Sequence, residues 1–327
     1  MASTPNGSRD TARLSGKSSI DFVVNSDHVR TMEPKSQIDT FGAASLTSVS
    51  LLLAFNHVVI KVTNLGIQPV FSAGIRSAGA ALTLWIVFRI LGRRLRVPAQ
   101  SWNSLLIMAA FFTMQFALLF IALDLTSVSR ASVIFYSMPI WMALGAHLFL
   151  PGQKLIGIRV LGLLIAMAGV AFAILSRPEA SGEGNFVGDI FALFAAMSWA
   201  AIGIMARGTK AKDATPEVQL MVQLIISAFG LIALSFFYGP WIRTPDIVTW
   251  SGLAFQILIV ASFGFLFWLW LLKNYPPAGV ASFSFLSPVF GVFLGWLLLG
   301  ETINGSLIVS LAMVVLGLVF INKHPKT

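Results

Sequence analysis

The chain has no cysteine among its 327 residues and only 13 acidic side chains. Without cysteine there is no disulfide, no thiolate metal site and no cysteine nucleophile. Charge of either sign is scarce, at 11% of residues, where soluble domains carry about a quarter. That excludes a soluble enzyme, a secreted disulfide scaffold or a disordered chain for most of the length. Enzyme patterns are also missing. The apolar segments carry no His-Glu-x-x-His, no Gly-rich phosphate loop with its Lys, no nucleophile elbow and no Asp-rich pair. No ATP-binding module is present, so this chain cannot drive a process by hydrolysing ATP itself. Neither a metal nor a cofactor is expected.

What the chain has is apolar surface. Hydrophobic residues make up 57% of it, and the mean hydropathy is +0.84. The net charge of +9 does not point to nucleic acid, because the basic residues lie between apolar runs, where they act as membrane topology signals. Residues 1–40 differ from the rest. They are rich in Ser, Thr and charge, without a long apolar run, and read as a disordered cytoplasmic tail. A cleaved leader is not expected either, since no apolar stretch of the needed length precedes residue 41.

From residue 41 onward, apolar runs of the length that crosses a bilayer follow one another. They fall near 42–62, 67–91, 102–123, 127–150, 156–176, 186–206, 217–238, 249–272, 277–299 and 303–322. Only Asp124-Leu125-Thr126 separates the third from the fourth, yet one helix over both would far exceed a bilayer, so a turn is required there. With the amino terminus inside, the inner side collects twelve Lys and Arg beyond the tail, among them Arg93, Arg94, Arg96, Lys210 and Lys212. The outer side keeps Lys61, Arg76, Arg130, Arg177 and Arg243. Twelve against five places both termini in the cytoplasm.

Two stretches superpose: Thr126 to Pro139 (TSVSRASVIFYSMP) and Tyr275 to Pro288 (YPPAGVASFSFLSP). Gly152-Gln153 and Gly300-Glu301 are 148 residues apart, as are Gly169 and Gly317. Halves of five helices enter a membrane from opposite sides, because five is odd. The fold class is therefore an all-α membrane protein of ten transmembrane helices in two inverted five-helix repeats, 41–177 and 186–322. Secondary transporters use this architecture to alternate access to a midplane site.

Several fragments then fall in a recognisable order: Phe55-Asn56-His57 with Lys61, Pro69 with Arg76, Ser132 to Pro139, Gly188-Asp189 with Trp199, Pro288 with Gly300-Glu301, and Gly317. In their order, spacing and duplication the chain resembles the EamA-type branch of the drug/metabolite transporter superfamily over about 42–322. Two positions depart from that pattern, Leu53-Ala54 before the Asn and Gly152-Gln153 where the first repeat would carry Gly-Glu. The resemblance implies a ten-helix transporter of the bacterial inner membrane, often an exporter of amino acids or related metabolites.

Arg76 lies about 14 Å from the outer end of its helix, at 1.5 Å per residue. A charge that deep costs several kcal/mol and normally faces a water-filled path or a partner. It reads either as a clamp for a substrate carboxylate or phosphate, or as half of an ion pair between helices. Thr47, Ser50, Ala54, His57 and Lys61 share one face of the first helix, with Asn56 at its edge. His57 is a satisfied interior imidazole or a proton carrier. Lys61 snorkels or joins the cavity. Gln115, Ser132, Trp199, Ser282 and Ser284 complete the candidate substrate contacts, or else serve as polar glue between helices. Asp124, Asp189 and Glu301 fall at helix ends, where carboxylates also cap.

The expected function is secondary transport of a small carboxylate-bearing solute, with export and alternating access. The expected partners are that solute and the bilayer, no nucleic acid, with a homodimer left open. A membrane-embedded enzyme or a sensor would instead need clustered Asp, His or Ser at helix mouths, or a soluble output domain. Topology is directly testable with a reporter active only in the cytoplasm. Fusions after residue 97 or 211 should give signal and fusions after 65, 182 or 245 none. Signal from an outer fusion would break the ten-helix arrangement.

Overall fold

A computed structural model describes residues 38–93, 95–151, 153, 155, 157–176, 185–275, 283 and 285–322. The polar tail before residue 38 lies outside the described residues. Those described form two short 3-10 helices at Ala99–Ser101 and Lys210–Asp213, no strand beyond a single bridge between Ile67 and Ile242, and ten main helices. They are α1 Thr40–Gly66, α2 Pro69–Ile90, α3 Trp102–Leu125, α4 Val128–Phe149 and α5 Ile158–Leu175, then α6 Phe186–Gly208, α7 Pro216–Ser235, α8 Ile247–Asn274, α9 Leu286–Leu299 and α10 Gly305–Asn322. Nine are long and apolar enough to cross a membrane, and α9 is a shorter apolar helix.

Capping residues set the boundaries. Asp39 accepts the N–H of Gly42 at 2.8 Å ahead of α1, and Gln68 accepts that of Phe71 at 2.9 Å ahead of α2. Asp246 opens α8 with a capping box to Thr249. The Thr249 hydroxyl, then its backbone N–H, hold the exposed Asp246 carboxyl below the usual range. Pro69 and Pro216 stand in first turns, where the missing N–H costs nothing. Two helices depart from regular α geometry. α4 breaks at Tyr136-Ser137 into Val128–Phe135 and Met138–Phe149. Pro139 causes this, since its ring collides with the carbonyl four residues earlier, at Phe135. α8 carries a π-helical stretch over Gln256–Gly264.

Packing relates the two halves as a pair. α2 lies on α7, α4 on α9 and α5 on α10, each helix against its own repeat counterpart. α1 packs on α8 and α9, as α6 packs on α3 and α4. The loops follow the same rule. At one end of the bundle the α1–α2 turn bonds the α7–α8 loop, Gln68 N–H to Trp241 O at 2.9 Å and Arg243 N–H to Gly66 O at 2.9 Å. At the other end the α2–α3 loop bonds the α6–α7 loop, Ser101 Oγ to Lys210 O at 2.8 Å. Equivalent loops thus sit at opposite ends, so the two-fold axis runs across the bundle and the repeats are inverted.

The tightest seam is between α5 and α10. A methyl on Gly162 would stand 2.7 Å from the Gly317 carbonyl, and one on Gly169 would stand 2.8 Å from Met313 Cβ. Backbones meet there directly, as small residues permit in membranes. Gly162→Leu should lower stability in detergent by about 1–3 kcal/mol, the usual cost of overpacking. Gly305→Ala, where a methyl meets nothing, should not. Thermal unfolding followed by size exclusion reads both.

Candidate functional site

On α1 the polar stripe turns inward: Ser50, Ala54 and His57 are buried, and Thr47 and Lys61 are half-buried. His57 Nδ1 lies 3.0 Å from Ser132 Oγ on α4. The imidazole stacks on Tyr136 with centroids 5.0 Å apart and meets Phe135 edge-on at 5.5 Å. Phe135 in turn meets Trp199 of α6 at 6.2 Å. His57, Ser132 and Trp199, distant in sequence, therefore belong to one chain of contacts through α1, α4 and α6.

Arg76 on α2 is only 6% exposed. Its guanidinium sits over the Phe116 ring of α3, 4.4 Å from the centroid, with Phe120 at 5.9 Å. It makes no hydrogen bond or ion pair with any described residue, and its Nε is buried without a partner. Of the two readings of Arg76, the ion pair between helices finds no acid among the described residues. Other polar groups share this unsatisfied state. Both amide atoms of Gln115, beside Phe116, lack a partner among the described residues, as does the side-chain oxygen of Asn56. Ser72 and Ser77 on α2 belong with them and escaped the sequence reading, although Ser72 precedes Arg76 by one helical turn. Ser282 and Ser284 lie outside the described residues.

Lys61 reaches a different place. Its Nζ donates to the carbonyls of Thr126 at 2.9 Å and Asp124 at 3.4 Å, joining α1 to the α3–α4 turn. This turn belongs to a polar lattice that covers one end of the bundle. Asp124 receives both guanidinium arms of Arg243 at 2.9 and 3.0 Å, and that hydrogen bond raises the arginine above its ordinary value against partial desolvation. Arg130 on α4 pairs with the fully buried Asp189 of α6 at 2.7 Å and also donates to the Ala173 carbonyl of α5. Asp189 accepts the Thr126 hydroxyl at 2.8 Å. Sequence places these acids at helix ends, while their partners, 59 or more positions away, carry no local signal.

Ten helices in two inverted halves, with polar groups buried between them, are the architecture of membrane transporters. The chain belongs to the EamA-like transporter family, whose model matches residues 40–175 and 186–323. It is similar to a Bacillus subtilis protein named "Uncharacterized transporter YoaV", 24% identical over 280 residues that span 85% of this chain and 94% of the relative. A "Probable amino-acid metabolite efflux pump" of Salmonella typhimurium is 29% identical over 283 residues, 83% of this chain and 91% of the relative. A solved crystal structure shares the fold with a TM-score of 0.61 at 18% identity, covering 85% of this chain and 97% of that one. The protein is thus of a membrane transport family, its partners a small solute and the bilayer.

Asp189→Asn should strand the Arg130 guanidinium in the interior. Loss of one member of a buried pair costs about 3–5 kcal/mol, so the folded yield in membranes should fall sharply. Arg130→Met combined with Asp189→Leu, which removes both charges, should recover much of it. Equal yields for the single and double variants would show that the pair contributes little.

Proposed function

We propose that the protein exports a small metabolite bearing a carboxylate, an amino acid or a related acid, from a bacterial cell by alternating access, with Arg76 as the clamp for its negative group. The observation that carries this reading is a guanidinium buried among helices without an acid, a carbonyl or any other acceptor among the described residues. A permanent cation in that setting costs several kcal/mol unless something offsets it, and the aromatic face of Phe116 offsets only part. A solute carboxylate supplies the remainder, in the bidentate geometry that favours arginine over lysine. The unsatisfied Gln115, Asn56, Ser72 and Ser77 offer neutral hydrogen bonds to the rest of such a solute. An ammonium group is compatible with the aromatic rings that line the interior.

Placement in the membrane rests on charge. The excess of Lys and Arg on one side sets both termini in the cytoplasm, and the lattice of Asp124, Arg130, Asp189 and Arg243 then seals the outer end. The protein resides in the cell membrane, the inner one where a bacterium has two. Export is favoured by the likeness to the Salmonella typhimurium protein named as a probable amino-acid metabolite efflux pump.

Counterflow in proteoliposomes, screened over radiolabelled amino acids and organic acids, tests the reading. Arg76→Lys keeps the charge and loses the fork. Charged hydrogen bonds are worth about 1.5–3 kcal/mol, so flux should drop roughly tenfold or more at unchanged yield. The methyl ester of a transported acid should not compete with it. Normal flux in Arg76→Lys, together with lost yield in Arg76→Ala, would remove the clamp role.

A further inference from the structure

The repeat counterparts α3 and α8 end alike but carry opposite charge. The Thr126 N–H bonds Ala122 O at 2.8 Å and the Tyr275 N–H bonds Leu271 O at 2.9 Å, so both helices close on the same extended cap. On that register Asp124 corresponds to Lys273. Asp124 holds Arg243 of the α7–α8 loop, whereas the counterpart α2–α3 loop brings Arg93, Arg94 and Arg96 and no acid. The other acids of the lattice have no repeat equivalent either. Asp189, four residues after the α6 cap Asn185, pairs with Arg130, and the residue four after the α1 cap Asp39 is Ala43. Glu301 follows Gly300 and accepts the Val128 and Ser129 N–H groups at 2.6 and 2.8 Å, while Gln153 follows Gly152. At the second end Asp39 accepts the Tyr275 hydroxyl at 2.8 Å, Asp213 accepts Gln100 at 3.1 Å, and Glu217 lies in the first turn of α7. Lys273 is exposed and pairs with no described residue.

Packing differs in the same sense. Over Phe116–Leu125 the side chains of Phe116, Ala117, Leu119, Phe120, Ala122 and Leu123 are buried, while over Phe265–Asn274 only Leu271 is. α3 packs on α1, whereas α8 has no comparable packing on α6 among the described residues. The π-helical stretch Gln256–Gly264 separates the packed start of α8 from this free half, and such stretches are where a helix can bend. We propose that the protein rests sealed at the Asp124 end and open at the Lys273 end, and that repulsion between Lys273 and the arginine loop keeps the second end from sealing as the first does. Inverted repeats reach their second state as the halves rock about the site. Sealing the second end would then carry Lys273 onto the arginines, as Asp124 meets Arg243. Like charges raise the energy of that state where unlike ones lower the energy of the first. With both termini in the cytoplasm the open end faces inward, so the empty carrier waits where an exporter loads. The inference rests on the alternating-access reading, and on neither Arg76 nor the identity of the solute.

With no native cysteine, a single thiol can report which end is open, without any solute. Val128→Cys replaces a fully buried side chain at the lattice end. Its rate with a polar maleimide, in nanodiscs of phosphatidylcholine, would be divided by that of Ile247→Cys, 81% exposed at the same end. The ratio should be low in the otherwise native chain. Adding Lys273→Asp gives the second end the ion pair it lacks, and the ratio should rise roughly fivefold, a shift of about 1 kcal/mol between the two states. Neutralising the loop as well, with Arg93→Gln, Arg94→Gln and Arg96→Gln, should remove most of that rise. Lys273 is exposed, so its replacement should leave the fold intact, which size exclusion checks. Asp124→Lys, which breaks the lattice instead, should raise the ratio by itself. A ratio that Lys273→Asp leaves unchanged, or a rise that survives neutralisation of the arginines, overturns the inference. Where Asp124→Lys still raises the ratio, alternating access stands without it; where neither variant moves the ratio, that reading falls too. Failure of the Arg76 reading would change flux and leave these labelling ratios intact.

Discussion

In hydrocarbon an unpaired backbone group costs several kcal/mol, and the α1–α2 turn, the α3–α4 turn and the break within α4 each occur where some other group closes the bond. The Gln68 amide donates to the carbonyls of Ser235 and Gly239, so that the α1–α2 turn and the end of α7 satisfy one another. Lys61 covers the carbonyls left open after α3, and Glu301 covers the amides left open before α4. At the break within α4, Ser137 bonds back to Ile134 O at 2.5 Å while Trp141 donates to its hydroxyl. The charged residues at the lattice end therefore serve the backbone as much as one another. The turn between α3 and α4 is closed by long polar side chains from other helices, whereas the break within α4 is closed by residues of α4 itself.

Most of the architecture could be read from the sequence because hydrocarbon thickness fixes the length of a span. The runs ending near Asp124 and beginning near Ser127 were separable despite only three intervening residues, since no bilayer holds a helix from 102 to 150. The interruption of α4 at Tyr136-Ser137 was less legible. Pro139 is visible in the sequence, but whether a proline kinks a membrane helix or splits it depends on what its neighbours supply. The span 217–238 ends earlier in the structure, at Ser235, because Phe236 and Phe237 enter the turn that leads to the α7–α8 loop.

The site was legible by type and not by pairing. The depth of Arg76 marked it as costly, but only the fold shows an aromatic ring beneath it in place of an acid. His57 and Lys61 share a helix face four residues apart, yet one meets a serine and a tyrosine while the other meets carbonyls of the α3–α4 turn. Glu301 read as a residue at a helix end, and so it is. The helix it caps belongs to the other repeat, 172 positions away, and no local pattern encodes that.

The glycine seam between α5 and α10 bears on how the halves can move. Helices whose backbones touch through Gly162, Gly169 and Gly317 have no side-chain cushion to slide upon, and a shift of one residue would drive a methyl or larger group into a carbonyl. The last helix of each repeat is thereby welded to its twin, and the pair forms a single rib that the two-fold axis crosses. Relative motion of the repeats is restricted to swinging about that rib, with the largest displacement at the helices farthest from it. The protein is in this sense a book with a fixed spine: its pages turn, but they do not come loose.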